Sequence, residues 1–430
     1  MKIAIIGSGH VGLVTGACFA DLGNEVLCMD QDLNKIRLLS RGEIPFFEPG
    51  LEELVKKNTD KNRLQFTSNM EEAIQFSEII FLCVGTPPKE NGEADLSAIE
   101  HVAEAITPFL TEYRLIVEKS TVPVETGLYL HKMIKQNLKR NIKFDIASNP
   151  EFLREGSAVR DFFSPDRIVL GVESVRAKKL LLEVYKPFDV PIVITDIQSA
   201  EIIKHASNSF LAMKISFINL VSQICSKVGA DIERVAEGMG ADGRIGKSFL
   251  NAGIGFGGSC FPKDLAAFTR ICEKLNVPST LLKEVIEINE IQKINFVNLV
   301  RSKLKTVEGK NLAVLGLAFK PDTDDMRSAP AIDILTQLQA EGAKIKAYDP
   351  CAIDEAKKHI RDIKFSKNVY DACKGADAVL ILTEWREFRD IDLKRLKKTL
   401  KDSLIIDGRN LYDPAEMKKN GFKYFSIGRN

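Results

Sequence analysis

Residues 2–12 read KIAIIGSGHVG, which sets the apolar run Ile3–Ile6 directly ahead of Gly7, Gly9 and Gly12 in the spacing G-x-G-x-x-G. A short β-branched run that stops at glycine and gives way to a helical pattern marks a buried parallel strand turning into a helix. At such a junction glycines permit a tight turn, close approach of a pyrophosphate to the backbone, and close helix packing, while the helix N-terminus presents the positive end of its dipole. The spacing alone is common, and a plain strand–helix turn would also satisfy it. Asp30 supplies the context: it ends the next apolar run, 23 residues after Gly7, where a carboxylate can accept ribose hydroxyls. Gly7, Gly9, His10, Val11 and Gly12 are therefore expected to face a dinucleotide. A carboxylate at Asp30 repels a 2′-phosphate, so NAD is expected over NADP.

The same rhythm continues outward. Apolar runs near 2–6, 25–30, 78–84, 114–119, 144–148, 167–171 and 191–194 alternate with helical patterns, predicting a doubly wound α/β domain over 1–195. From Ser199 to Val228 the pattern changes to apolar residues on nearly every face, with no Pro or Gly before Gly229. That predicts one helix roughly 45 Å long at ~1.5 Å per residue. A helix apolar all round must be covered on all sides, which makes it a spine and a homodimer interface. Helices at 262–275 and 279–300 complete a helical middle domain, 196–300. After the charged run 301–310 the sheet rhythm restarts in NLAVLGLAF, KIKAYDP, ADAVLILT and SLIIDG, giving a second, smaller α/β domain over 310–430. Asp349 ends a strand there as Asp30 does in the first. The fold class is α/β: two Rossmann-like doubly wound domains joined by a long central helix and a helical middle domain.

Composition narrows the function classes. At roughly 100–200 residues per domain, 430 residues make several domains with ample core. Sixty Lys and Arg against 59 Asp and Glu give a net charge of +1, so no global field recruits nucleic acid or an anionic membrane. No uninterrupted apolar stretch approaches the ~18 residues of a membrane span, and the opening apolar run is too short for a signal-peptide core. Eight cysteines lie scattered without a C-x-x-C pair. A cytoplasmic protein with reduced thiols and no bound metal is expected.

Further strand ends carry VGTP (84–87) and STVP (120–123), placing Thr86 and Thr121 at the carboxyl edge where an open α/β sheet binds its ligand. As Gly/Pro/Thr clusters these are also ordinary turns. NPEFLREG (149–156) puts Glu151 and Glu155 on another such loop. On the spine, Lys204 and Asn208 share one face at i and i+4. Burying an ammonium is costly unless it is paired, so Lys204 points to an oxyanionic ligand; a snorkelling lysine is the plain alternative. His205 points about 100° away and reads as structural. In NAGIGFGGSCFPKD (251–264), five Gly or Ala residues let the backbone wrap a ligand before Cys260, which precedes a proline-led helix. A thiol at a helix N-terminus beside Lys263 is expected to have a depressed pKa and to serve as a nucleophile. Asp264 would partner the dipole or position a water, and the other cysteines read as apolar filler.

Taken in order, GSGHVG, VGTP, STVP, NPEFLREG, Lys204 with Asn208, GFGGSCFPKD and LAFKPDTDDMRSAP resemble the nucleotide-sugar 6-dehydrogenases over the whole chain. NPEFLREG and GGSCFPKD are most similar to the branch acting on UDP-glucose. The resemblance implies an NAD-binding N-terminal domain, a dimerising helical middle, a UDP-binding C-terminal domain, and four-electron oxidation of UDP-glucose to UDP-glucuronate with two NAD in turn. By motif position it implies Cys260 as nucleophile, with Lys204, Asn208 and Asp264 around the reacting carbon and Thr121 and Glu151 handling protons through water. It places Lys35 beside Asp30 at the ribose, and Thr86, Glu155, Lys263 and Arg327 toward the cofactor. Glu151, Phe152, Leu153, Arg244, Asn251, Phe256, Gly257, Phe319, Lys320 and Arg409 would hold the UDP-sugar, Arg244 from a neighbouring subunit. Three residues depart from the family's usual pattern: His10 replaces an aromatic, Glu125 a glycine and Phe256 a tyrosine. A one-hydride alcohol or hydroxy-acid dehydrogenase would leave Cys260 and the second α/β domain without a task. An NAD-sensing dimeric scaffold would leave Lys204, Cys260 and Asp264 without one.

Overall fold

In the computed structural model, which describes residues 1–139 and 141–429, the opening apolar run forms strand β1 (Lys2–Ile6), whose Ile3, Ala4, Ile5 and Ile6 are all buried. It lies inside an eight-stranded sheet with β2 (Glu25–Met29), β3 (Leu64–Thr67), β4 (Ile79–Leu82), β5 (Arg114–Glu118), β6 (Phe144–Ser148), β7 (Ile168–Val172) and β8 (Ile192–Thr195). The order is β3-β2-β1-β4-β5-β6-β7-β8. Chain order reverses between β1 and β4, so the carboxyl ends of these strands form a topological switch point, where open α/β sheets take their ligands. Apolar side chains cover both faces of the sheet, one cluster running through Ile5, Val14 and Phe81 and another through Ile6, Leu82 and Ile116.

Two features of this sheet lie outside the sequence expectation. Strand β3 escapes the hydrophobic pattern because LQFT has only Leu64 and Thr67 buried and sits at the sheet edge, too short and too polar to stand out. Strands β6 and β7 pair antiparallel, whereas β7 and β8 are parallel to each other. The helix between β6 and β7, Ala158–Phe163, has six residues. At ~1.5 Å per residue it spans about 9 Å, less than the ~17 Å of a five-residue strand, so it cannot carry the chain back to the other end of the sheet.

The helices that matter for function are α1 (His10–Asp21), α2 (Thr126–Asn137), α3 (Ile197–Val228), α4 (Phe261–Lys274) and α5 (Thr280–Leu304). Helix α5 continues past residue 300 through part of the charged run, since Val300 is buried and Leu304 packs on the core; it stops at Lys305, which has φ 65°. The chain divides into two compact units, Met1–Ser207 with Ala266–Val277 and Asn208–Leu265 with Pro278–Asn430. Both α3 and α4 run from one unit into the other.

The second unit contains a six-stranded parallel sheet in the order β11-β10-β9-β12-β13-β14. Its strands are β9 (Asn311–Leu315), β10 (Lys344–Tyr348), β11 (Lys364–Phe365), β12 (Ala378–Ile381), β13 (Leu404–Asp407) and β14 (Lys423–Ser426). The four central strands match the expected runs, and the two edge strands are short additions. The resemblance between the two sheets ends at their acids. Asp349 is buried and already accepts the N–H groups of Leu317, Ala318, Cys351 and Ala352 and the indole N–H of Trp385.

Candidate active site

In the first unit, each glycine of the opening motif has its own constraint. Gly7 lies at φ 97°, and a methyl group there would stand 2.8 Å from the Cys83 carbonyl oxygen. At Gly12 a methyl would stand 1.9 Å from the Gly7 carbonyl oxygen, so helix and strand touch only because it is absent. Gly9, by contrast, precedes α1 and faces open space, with nothing within 4 Å of where a methyl group would stand. That opening at the positive end of a 12-residue helix fits a pyrophosphate.

Asp30 accepts the N–H of Ser8 at 2.9 Å, that of Asp32 at 3.0 Å, and the Lys35 ammonium at 2.8 Å. Burial works against its charge, but Lys35 and the two backbone donors outweigh burial and hold the carboxyl below its ordinary value. It is therefore an ionised acceptor, as a ribose diol requires. Asp30→Ala is expected to raise the KM for NAD by ~10-fold or more, the worth of a charged hydrogen bond, and to narrow the preference over NADP. Initial rates with both cofactors read this directly; equal use of the two by the wild type would refute the placement.

Thr86 and Thr121 meet: the Thr86 hydroxyl donates to the Thr121 carbonyl at 2.7 Å, and Ser120 Oγ donates to the Val84 carbonyl at 2.7 Å, tying the VGTP and STVP turns together. Glu151 and Lys204 form a buried ion pair at 2.9 Å, with side chains 6% and 5% exposed. Glu151 also accepts the Leu153 N–H at 2.6 Å. Phe152 lies beneath two cations, 5.3 Å from Lys204 Nζ and 3.5 Å from the Arg167 guanidinium. An ammonium and a carboxylate kept in contact out of water can each stabilise charge of opposite sign and pass a proton through water.

In the second unit, Cys260 stands at the N-terminus of α4 and its carbonyl accepts the Asp264 N–H at 2.8 Å, the first bond of the helix. Asp264 is 1% exposed, receives the Asn208 amide at 2.6 Å and pairs with Lys263 at 2.8 Å. The Ser259 hydroxyl lies 3.6 Å from Cys260 Sγ. Cys260 is half-buried at this helix end. Elsewhere burial pushes the thiols of Cys83 and Cys373 up to about 12 and that of Cys351 up to about 11, which removes them as nucleophiles near neutral pH.

The glycine loop before Cys260 is shaped by close contacts. A methyl at Gly257 would lie 2.2 Å from the Ser328 carbonyl oxygen, and one at Gly258 would lie 2.7 Å from the Phe319 ring. Lys320 Nζ stands 5.3 Å from that ring. The Arg409 guanidinium donates to the carbonyls of Leu382, Gly255 and Phe319 at 2.8, 3.1 and 3.2 Å, so it stitches the loops around the glycine segment. Asn251 is exposed. Arg244 is exposed and forked by Asp242, and Arg327 is forked by Asp325.

Sequence reasoning missed several residues that hold these groups. Asn219 accepts the Gly253 N–H at 2.9 Å, Gln292 donates to the Gly253 carbonyl at 2.8 Å, and Asn289 accepts the Phe256 N–H at 2.8 Å. Glu48, 3% exposed, accepts the Gly156 and Ala158 N–H groups at 2.7 and 2.8 Å, beside Glu155. Buried Lys119 donates to Asn149 Oδ1 at 2.9 Å, fixing the ends of β5 and β6. Glu48 and Asn219 each stand as a polar residue inside an apolar stretch, whereas Asn289, Gln292 and Lys119 lie among other polar residues and carry no local signal.

Family models match along the chain: the NAD binding domain of the UDP-glucose/GDP-mannose dehydrogenase family over residues 1–189, its central domain over 198–291 and its UDP binding domain over 313–414. The chain belongs to the UDP-glucose/GDP-mannose dehydrogenase family. It is 49% identical to UDP-glucose 6-dehydrogenase TuaD of Bacillus subtilis, covering 100% of this chain and 93% of that protein. Identity to the UDP-glucose 6-dehydrogenase of Rhizobium meliloti is 45%, covering 100% of both chains. Among solved structures, a UDP-glucose dehydrogenase from Pyrobaculum islandicum matches with a TM-score of 0.93 at 36% identity, covering 100% of this chain and 98% of that one. The NAD expectation stands with the family.

The three departures from the usual pattern of the UDP-glucose/GDP-mannose dehydrogenase family have structural counterparts. His10 Nε2 donates to Glu48 at 2.7 Å and so joins the start of α1 to the 156–158 loop. Glu125 adopts φ 76°, the left-handed region where glycine is at ease. Phe256 engages Asn289 through its backbone and packs its ring edge-on against Phe261 at 5.7 Å.

Proposed function

We propose that this chain is an NAD-dependent enzyme that takes UDP-glucose through two successive oxidations to UDP-glucuronate. The observation that carries the reading is Cys260 at the N-terminus of α4, one turn from an Asp264 oriented by Asn208. A dehydrogenase that removes a single hydride has no use for such a nucleophile. NAD, when bound at Gly7–Gly12 and Asp30, supplies the hydride acceptor for each oxidation.

The chain's own residues divide the remaining work. Thr121 and Glu151 take the proton of the primary alcohol through water, and the Lys204 ammonium stabilises the alkoxide. The Cys260 thiolate then adds to the aldehyde carbon, forming a C–S bond and a tetrahedral oxyanion that Lys204 and Asn208 stabilise. Loss of the second hydride converts this thiohemiacetal into a thioester. Water oriented by Asp264 attacks the thioester, the C–S bond breaks, and the thiol and carboxylate are released. Covalent capture keeps the reactive aldehyde from escaping. The expected result is two NADH per UDP-glucose consumed with no free aldehyde, measured by absorbance against substrate quantified chromatographically. One NADH per sugar with accumulating aldehyde would favour the one-hydride reading.

The partners follow from surface and composition. Phe210, Phe217, Leu220, Ile224 and Val228 of α3 are 57%, 47%, 41%, 54% and 70% exposed and recur on one face of the helix. This face supports a homodimer through α3, for which sedimentation analysis should return twice the chain mass. Helix α3 is long and apolar enough to cross a membrane by composition. Its buried Glu201, Lys204, His205, Asn208, Ser216 and Asn219 all bond to protein groups, which supports a core helix instead. Near-neutral charge supports small-molecule partners over nucleic acid, and eight unbridged cysteines support a reducing, cytoplasmic setting.

A further inference from the structure

The turn 120–127 joins β5 to α2 and carries Thr121. Besides its ties to the VGTP turn, it is held from α3. His205 Nε2 donates to the Val122 carbonyl at 2.8 Å, and Glu201 accepts the Glu125 N–H at 2.7 Å and the Gly127 N–H at 2.9 Å. Glu125 makes no side-chain cap, so the first N–H groups of α2 are satisfied by a residue of a different helix. The same bonds hold Glu125 in its left-handed conformation, unfavourable for any residue with a Cβ.

Behind Glu201 stands Glu118, the last residue of β5. The two are 2% and 1% exposed. A methyl at Gly127 would lie 3.0 Å from Glu118 Oε2 and 3.6 Å from Glu201 Oε1, so both carboxyls converge on the start of α2. Neither Glu118 oxygen meets an N–H or a cation among the described residues. Two ionised carboxylates in this position would repel each other without water to screen them. A proton on Glu118 resolves this: it bonds to Glu201, whose remaining charge faces the amides and the positive end of α2. Burial, then the charge of Glu201, pushes the Glu118 carboxyl well above its ordinary value. Burial raises Glu201 to about 7, against the pull of the Gly127 and Glu125 donors. Glu118 from β5 and Glu125 from the turn are the titratable groups that face Glu201.

We propose that Glu118 and Glu201 share a proton, and that Glu201, the charged member of the pair, is the positioning residue that fixes the 120–127 turn and Thr121 for the oxidation. This rests on the reading above only for the role of Thr121. Glu201→Gln keeps the shape but offers one acceptor to two N–H groups. It should speed amide exchange across 120–127 by ~10-fold or more and lower kcat by a similar factor. KM for UDP-glucose should stay within ~2-fold, because Glu201 bonds to the 120–127 turn and not to Glu151, Phe152 or Leu153, and the other residues read as holding the UDP-sugar belong to the other unit. A merely destabilised protein would not show that split. In Glu118→Gln an amide N–H replaces the shared proton, so exchange across 120–127 should stay near wild type. The protonated-carboxyl infrared stretch expected in the wild type at about pH 8 should vanish in this variant. Absence of that stretch in the wild type, or wild-type exchange in Glu201→Gln, would overturn the proposal. If Glu201→Gln does not fold, the infrared and Glu118→Gln measurements decide. If the wild type leaves UDP-glucose unoxidised, the functional reading fails while the exchange and infrared results still decide this one.

Discussion

Cys260→Ser should lower steady-state formation of UDP-glucuronate by ~10³-fold or more while leaving the fold intact. The substitution keeps the size of the side chain and the helix start, but replaces a thiol, the more acidic and more nucleophilic group, with a hydroxyl that hardly ionises. Loss of a nucleophile commonly costs several orders of magnitude. The first oxidation needs only a proton acceptor and Lys204, so NADH should appear in a burst and then stop, with aldehyde or a stable ester accumulating. If Cys260 were filler at a half-buried helix end, Ser would cost at most a few kcal/mol of stability and leave turnover near normal. Turnover and a thermal melt on one sample separate the cases: a well-folded variant working at the wild-type rate would end the covalent mechanism.

Lys204→Met should lower kcat/KM by ~10²–10³, the usual worth of one preorganised oxyanion donor. It should also destabilise the first unit, since it strands Glu151 as a buried charge, a loss of about 3–5 kcal/mol. The two effects can be pulled apart. In the double variant Lys204→Met with Glu151→Gln the stranded charge is gone, so most of the stability should return while activity stays low. If the double variant recovers activity together with its melting temperature, Lys204 serves the fold alone and the oxyanion role is wrong. Calorimetry and initial rates on the three proteins are sufficient.

Much of the site was readable because its chemistry is local in the chain. The glycine motif, Asp30 twenty-three residues after Gly7, and Cys260 ahead of a proline-led helix each place their residues through one strand, one turn or one helix start. Their neighbours were not readable because they come from far along the chain. Glu48 reaches Gly156 and Ala158 from more than a hundred residues away, and Asn219, Asn289 and Gln292 on two helices set the glycine loop. Glu48 and Asn219 are single polar residues among apolar ones, Asn289 and Gln292 sit among other polar residues, and periodicity says nothing about which backbone group any of them will meet. The spine is one helix, as its pattern predicted. Its all-round apolarity predicted cover on every side, in part from a second subunit; within one chain one face of α3 is exposed, and composition counts apolar residues without saying what covers them.

The sequence by itself determined the two α/β folds, the long helix and the dinucleotide motif and singled out Cys260 as the candidate nucleophile, since these depend on hydrophobic period and on residues within a few positions of one another. Only the tertiary structure decided that β7 turns antiparallel, that Asp30 remains an available acceptor while Asp349 is consumed by its own loop, and that two buried glutamates meet behind Thr121. Those outcomes depend on which donors reach a group in space. Hydrogen bonding and desolvation act over a few ångströms between residues that the chain can separate by any length.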